Sequence, residues 1–188
     1  MTKLFLWPLL AMAVLMFGGC TTKPTVGQNN INDLALAIQG LGPDVDPEEA
    51  QRAASIAYRH SLRLAQEYQI TDPPIVHNTK IHHGLRERGL CNHYTEDMLE
   101  RLNQERFRTL SLHWATSPSS MFRIVHHTAV ISRQGAKVED GIVLDPWRYG
   151  GALFWSPTRA DERYNWQLLD DVQELLRARR GKAASKAN

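Results

Sequence analysis

The sequence predicts an α+β fold in which N-terminal helices precede a small antiparallel sheet and a further helix closes the chain. Two observations lead to this class. Apolar residues recur at helical spacing as far as about residue 106, whereas β-branched and aromatic residues dominate from residue 121 onward. Helices that precede the strands, rather than alternating with them, are typical of the α+β class.

The chain opens with the pattern of an exported lipoprotein. Lys3 precedes an apolar run over residues 4–17, and a Gly-Gly-Cys motif ending at Cys20 follows. Since this run is shorter than the ~20 residues that cross a bilayer as a helix, it predicts a signal peptide over residues 1–19. The Gly-Gly-Cys ending resembles the lipobox of bacterial lipoproteins. That resemblance implies lipidation of Cys20 and, because Thr21 follows, anchoring to the periplasmic face of the outer membrane.

The rest of the chain is predicted to form one domain on a tether. Residues 20–30 are polar and are interpreted as the lipidated N-terminus and its tether, residues 31–180 as a single globular domain, and residues 181–188 as a disordered tail. The chain of 188 residues is long enough to bury one core. Its formal net charge of +2 does not indicate the strongly basic surface that nucleic-acid binding requires, so no nucleic-acid partner is expected.

Three helices are predicted before the strands. Apolar residues at helical spacing predict the first over residues 32–41. Asp46 is a predicted N-cap, with proline and acidic residues after it, for a helix that continues to about residue 68. The third begins near Cys91 and continues to about residue 106, because apolar residues then recur every four positions.

The second half of the chain predicts the sheet. Residues 121–131 and 141–144 read as an antiparallel hairpin around a polar loop with Gly135. Pro146 is expected to end the second strand, because proline cannot donate a ladder hydrogen bond. The remaining predicted elements are a short strand over residues 152–155 and a helix over residues 164–180.

Cys91 is the candidate for chemistry. If Cys20 carries lipid, Cys91 is the one remaining thiol of two, in an oxidising compartment. It can be a small buried hydrophobe, an intermolecular disulfide partner or a reactive thiol. Its place at a predicted helix start favours the reactive form, because free amide N–H groups and the helix dipole stabilise a thiolate.

A cysteine hydrolase also needs a histidine base and a group that orients it. The candidates are His127 and Asp145, but periodicity does not choose between His127 and His126, because both predicted strand faces are apolar. One hairpin register places Asp145 opposite His127, whereas a tight turn at Gln134-Gly135 would place Ile142 there. A buried histidine satisfied by a backbone carbonyl is the structural alternative for either one.

The order of three motifs resembles a known family. Gly-Leu-Cys ends at Cys91, His-His-Thr-Ala-Val contains His127, and Val-Leu-Asp-Pro-Trp contains Asp145. This order resembles the transglutaminase-like branch of the papain-like superfamily over about residues 85–150. The stretches RGLCNHYTEDM and DGIVLDPWR also resemble uncharacterised lipoproteins of Gram-negative bacteria.

The resemblance implies a transglutaminase-like core and a role for each residue. Cys91 would be the nucleophile, His127 the base and Asp145 the orienting group, for hydrolysis or acyl transfer at an amide of a peptide or peptidoglycan stem. Candidate oxyanion donors or substrate contacts are Asn78, Asn92, Trp147 and the Cys91 backbone N–H.

Two rival interpretations use the same residues. His82, His83, Cys91 and His93 offer nitrogen and sulfur ligands for zinc, but their spacing fits no closed zinc motif, so no metal and no cofactor is predicted. The other is a non-catalytic envelope lipoprotein that acts as a binding or assembly module and keeps Cys91 buried. A reactive, accessible thiolate would distinguish an enzyme from such a module.

Overall fold

The computed structural model describes residues 28–119 and 123–186, and it confirms the α+β class. The predicted signal peptide, the predicted lipidation site at Cys20 and most of the predicted tether lie outside the described residues. Within the described part of the chain, no helix is both long and apolar enough to cross a membrane.

Five helices and five strands make up the described fold. The helices are α1 (Gln28–Gln39), α2 (Pro47–Glu67), α3 (Pro74–His82), α4 (Cys91–Asn103) and α5 (Leu169–Lys186). The strands are β1 (Leu110–Ser117), β2 (His126–Arg133), β3 (Ile142–Tyr149), β4 (Ala152–Pro157) and β5 (Gln167–Leu168). They form one antiparallel sheet in the order β4-β3-β2-β1-β5, so β2 lies at its centre.

Local sequence signals account for the helices that were predicted. Asp46 caps α2, because its Oδ1 accepts hydrogen bonds from the backbone N–H groups of Glu48 at 2.7 Å and Glu49 at 3.2 Å. α4 begins at Cys91 as predicted, and α1 begins at Gln28, inside the predicted tether. α5 extends to Lys186, past the domain boundary predicted at residue 180.

The two faces of the sheet have different partners. Ala129 and Ile131 of β2 pack in the main core with α1, α2 and α4. Val130, between them, packs on the other face with Val143 and Trp166. Because successive side chains of a strand point to opposite faces, His126 and His127 at the start of β2 lie on different sides of the sheet.

The hairpin register differs from both registers considered from the sequence. Ala129 pairs with Leu144 and Ile131 with Ile142, so neither Asp145 nor Ile142 lies opposite His127. The connection contains a 3-10 turn over Val138–Asp140, which makes it longer than a tight turn. The register therefore depends on a loop conformation that the strand pattern does not encode.

Pro146 does not end β3, contrary to the prediction. The strand continues to Tyr149, and its pairing with β4 is irregular between Asp145 and Tyr149. A β-bulge removes ladder hydrogen bonds locally, so a proline without an N–H group is tolerated there.

Three segments were assigned wrongly or missed. The helix predicted to start at Tyr164 starts at Leu169, since Trp166 is buried against the sheet in an extended segment that leads into β5. α3 and β1 were not predicted. β1 carries Ser111 and His113 among its apolar residues, and pairing with β2 along its whole length stabilises it.

Candidate active site

Cys91 is the first residue of α4, and a tight loop directs the chain into it. Gly89 has a φ of 124°, and a Cβ atom there would lie 2.5 Å from His77 Nε2, so both conformation and space require glycine. His77 is buried, and its Nε2 lies 3.0 Å from the Arg88 carbonyl oxygen. The loop before the cysteine is therefore fixed against α3.

His93 organises the first turn of α4. Its Nδ1 accepts hydrogen bonds from the backbone N–H groups of Gly89 at 3.1 Å and Leu90 at 3.4 Å. Burial and the nearby Arg88 charge lower the pKa of His93, which keeps Nδ1 free of a proton as these bonds require. The backbone N–H of Cys91 belongs to the first helical turn, so it has no partner within the helix.

The Cys91 side chain is nearly buried. Cys91 is 7% exposed, is not in a disulfide, and packs in an apolar cluster with Leu64, Tyr68, Tyr94 and Trp147. Thr95 Oγ1 donates to the Cys91 carbonyl oxygen at 2.8 Å and so fixes the backbone of this turn. Cys91 is therefore held in place within the apolar cluster.

His126 and Asp145 form the second half of the site. His126 Nε2 lies 2.8 Å from Asp145 Oδ2, and the two side chains are 0% and 1% exposed. The other ring nitrogen, Nδ1, makes no well-formed hydrogen bond to any residue that the structure describes. Nδ1 is thus the imidazole nitrogen that is free to exchange a proton. Trp147 belongs to the Cys91 cluster and its ring centroid lies 4.7 Å from that of His126, so Cys91 and the imidazole share a neighbour.

The surroundings of His126 favour its protonated form. Burial lowers the pKa of His126, but the hydrogen bonds and charges of Asp145 and of a Cys91 thiolate outweigh burial and raise the pKa to about 9. An imidazolium at neutral pH is the partner that a thiolate requires.

His127 is not part of this arrangement. It lies half-buried on the opposite strand face, where Trp114 Nε1 donates to its Nδ1 at 3.1 Å. Burial and the neighbouring His126 lower the pKa of His127. The predicted pairing of His127 with Asp145 is therefore wrong, and the structure brings His126 to Asp145 instead. The cause is geometric, because Asp145 and His126 lie on the same face of the sheet.

Two charged residues that sequence reasoning missed extend the site. Arg148 Nε donates to Asp145 Oδ2 at 3.0 Å, and the Arg148 backbone N–H donates to Asp145 Oδ1 at 3.1 Å. The Arg148 guanidinium also forms a bidentate pair with Asp161, at 3.1 and 2.6 Å. No sequence signal indicated either pair, because residues three apart in a regular strand point to opposite faces, and Asp145 and Arg148 lie where the pairing of β3 with β4 is irregular.

Aromatic rings enclose the imidazole. The ring centroids of Tyr164, Trp147 and Trp166 lie 4.6, 4.7 and 5.4 Å from that of His126. Trp147 Nε1 donates to Asn78 Oδ1 at 3.2 Å, so two of the predicted oxyanion or substrate contacts are joined beside His126. The third, Asn92, is half-buried at the second position of α4.

Two open cavities adjoin the cluster that contains Cys91. One, of about 420 Å³, is lined by Tyr68, Arg88 and Asp97 among others. The other, of about 390 Å³, is lined by Ile70 and Gly150 among others. Tyr68 packs in the Cys91 cluster and Ile70 packs against it, so both cavities border this cluster, although Cys91 itself is not among the residues that line them.

The histidines considered for zinc are arranged differently from a metal site. His82 and His83 are exposed at the end of α3, and His93 Nδ1 is occupied by backbone N–H groups. Across residues 28–119 and 123–186, no group of three or more histidine, cysteine or acidic side chains is placed to hold a metal ion.

No family model matches this chain, and comparison with curated proteins and with solved structures gives no significant match.

Proposed function

We propose that this protein is a cysteine hydrolase or acyltransferase that acts on an amide bond, with Cys91 as nucleophile, His126 as base and Asp145 as orienting group. The observation that carries the proposal is the 2.8 Å contact between His126 Nε2 and Asp145 Oδ2, in a buried site that also contains the first residue of α4, Cys91. A nucleophile, a base and a group that orients the base are the parts that covalent catalysis needs.

The first half of the reaction forms a thioester. The Cys91 thiolate attacks the amide carbonyl carbon and gives a tetrahedral intermediate with a negative oxygen. His126, as imidazolium, donates its proton to the leaving nitrogen, the C–N bond breaks, and the amine departs. Asp145 keeps the imidazole in the required orientation and tautomer throughout.

Donors near the thiol can stabilise the negative oxygen. The Cys91 backbone N–H has no partner within the helix, and the α4 N-terminus favours negative charge. Asn78 has its Oδ1 fixed by Trp147, which leaves its amide N–H₂ group as a second candidate donor. Both donors come from residues that the sequence analysis had selected.

In the second half, neutral His126 takes a proton from water, and the resulting hydroxide attacks the thioester. The acid is released and the thiolate–imidazolium pair is restored. An amine in place of water would give acyl transfer by the same steps. With the predicted lipid anchor at Cys20, the substrate would be a peptide or a peptidoglycan stem in the cell envelope.

The alternative is a non-catalytic envelope module, and the 7% exposure of Cys91 favours it. In that case the cysteine is a small hydrophobe of the apolar cluster and the charged residues only stabilise the fold. The two functions differ in whether Cys91 reacts in the native protein.

The test is the rate of Cys91 alkylation by iodoacetamide as a function of pH, in the full chain carrying Cys20→Ser. We expect alkylation of native protein that stays fast at about pH 6.5, where a free thiol with a pKa of about 8.5 would be almost entirely protonated. His126→Ala should lower this rate at least about tenfold, and His127→Ala is the matched control that should not.

Acylation provides the second part of the test. Incubation with p-nitrophenyl acetate should place an acetyl group on Cys91, detectable by mass spectrometry, and water should remove it more slowly from His126→Ala. If Cys91 reacts only after denaturation, or if the two histidine variants behave alike, the enzyme proposal fails and the binding-module alternative stands.

A further inference from the structure

We infer that Asp161 is a positioning residue for the catalytic imidazole, and that it acts through Arg148 by supplying the negative charge that keeps a proton on His126. This inference rests on the proposed function, because it concerns the same Cys91–His126 pair.

Arg148 lies between two carboxylates in the interior of the protein. Its Nε donates to Asp145 Oδ2 at 3.0 Å, and its two terminal nitrogens donate to the two oxygens of Asp161 at 3.1 and 2.6 Å. All three side chains are at most 3% exposed. Trp166 Nε1 donates to Asp161 Oδ2 at 2.9 Å and fixes the outer carboxylate.

The number of buried charges explains why Asp161 matters to His126. Asp145 and Asp161 carry two negative charges and Arg148 one positive charge, so one negative charge remains. Burying an uncompensated charge is costly, and His126 is in contact with Asp145 and can take up a compensating proton. Without Asp161, Arg148 would neutralise Asp145, and a Cys91 thiolate would be the one remaining charge of this group that favours the imidazolium.

Neither Tyr164 nor His127, the other titratable side chains near His126, can replace the negative charge of Asp161. Burial raises the pKa of Tyr164, whose ring lies 4.6 Å from the imidazole, so the phenol stays neutral. Burial and His126 itself lower the pKa of the adjacent His127. Of the groups around the imidazole, Asp145, Arg148, Asp161 and the Cys91 thiol therefore determine whether His126 holds a proton.

The segment that carries Asp161 also shields these charges from water. Tyr164 and Trp166 of the same segment pack against His126, and the Arg148 guanidinium carbon lies 3.7 Å from the Phe154 ring centroid. Exclusion of water strengthens every electrostatic contact inside the network. Asp161 can thus influence the imidazole although Arg148 stands between them.

The experiment compares Asp161→Asn with Asp140→Asn in the full chain carrying Cys20→Ser. Asp140 is a matched control, since it forms an exposed ion pair with Arg159 at 2.9 Å. We expect Asp161→Asn to slow iodoacetamide alkylation of Cys91 at about pH 6.5 at least tenfold. At about pH 10 the rate should be unchanged, because a free thiol, with a pKa of about 8.5, is ionised at that pH without an imidazolium. Asp140→Asn should leave both rates unchanged.

The shape of the pH profile separates a positioning role from a structural one. Loosened packing would change the rate at every pH, and equal changes at low and high pH would overturn the inference, as would an unchanged profile. Trp166→Phe is the second variant if Asp161→Asn does not fold. It keeps a smaller aromatic ring beside His126 and removes the hydrogen bond to Asp161 but not its charge, so it should produce a smaller shift of the pH profile in the same direction.

NMR titration of the His126 imidazole keeps the inference testable if the proposed function fails. If wild-type Cys91 does not react in the native protein, the enzyme proposal is wrong, but His126 must still lose its proton at a lower pH in Asp161→Asn than in wild type. An unchanged His126 titration would overturn the role of Asp161 whatever the reactivity of the thiol.

Discussion

His126 and His127 are adjacent in the chain, yet they lie in two different regions of the molecule. His126 is 0% exposed, contacts a buried carboxylate, and has a pKa raised to about 9. His127 is half-buried, accepts a hydrogen bond from Trp114, and has a lowered pKa. At neutral pH, His126 therefore keeps its proton and the adjacent His127 does not.

The difference shows that residue type and approximate position do not determine the chemistry of a histidine. Both rings are removed from water, and burial alone would lower both pKa values. Only His126 meets compensating negative charge, because its strand face also carries Asp145 and, beyond it, Arg148 and Asp161. The charged partners, and not burial, decide which of the two can act as a base.

The largest effect expected from the difference between the two histidine environments is on the free energy of unfolding. Asp145→Ala leaves Arg148 and His126 without a shared buried partner and should lower the free energy of unfolding by about 3–5 kcal/mol. His127→Ala should cost only about 1 kcal/mol, since it removes one hydrogen bond from a half-buried residue. Urea denaturation of both variants measures the two values, and similar losses would contradict the distinction between the two regions.

The second-largest expected effect is a difference between the pKa values of the His126 and His127 rings. NMR should show His126 losing its proton at about pH 9 and His127 below the usual value of ~6.5. The consequences for stability have opposite signs. The contribution of His126 is fully present below about pH 6.5 and is lost as the pH rises through about 9, whereas that of His127 is present above about pH 6.5 and is lost on acidification. If both rings titrated near pH 6.5, their pKa values would no longer favour His126 over His127 as the base.

The smallest expected effect comes from Trp114→Phe. This change keeps an aromatic ring and removes the donor to His127 Nδ1, so unfolding should become easier by about 0.5–1.5 kcal/mol. Alkylation of Cys91 at low pH should not change, because Trp114 contacts the other face of β2. A slower alkylation rate in this variant would show that the two histidine environments are coupled.

Local signals allowed part of the fold and the site to be predicted. The N-cap at Asp46, the start of α4 at Cys91 and the strand over residues 152–155 depend on neighbouring residues, and the structure confirms them. The segment from Tyr164 to Leu168 was predicted as helix, because its apolar spacing fits one. Burial of Trp166 against the sheet overrides that preference.

The sequence by itself determined the residue types of the site and their order. Cys91 at a helix start and Asp145 at the end of a strand follow from periodicity and composition, which act over a few residues. The choice of His126 required the sheet register and the strand face, and the link from Arg148 to Asp161 required a contact between a strand and a distant loop. Only tertiary structure decided these, because register and buried charge pairing depend on residues far apart in the chain that meet when it folds.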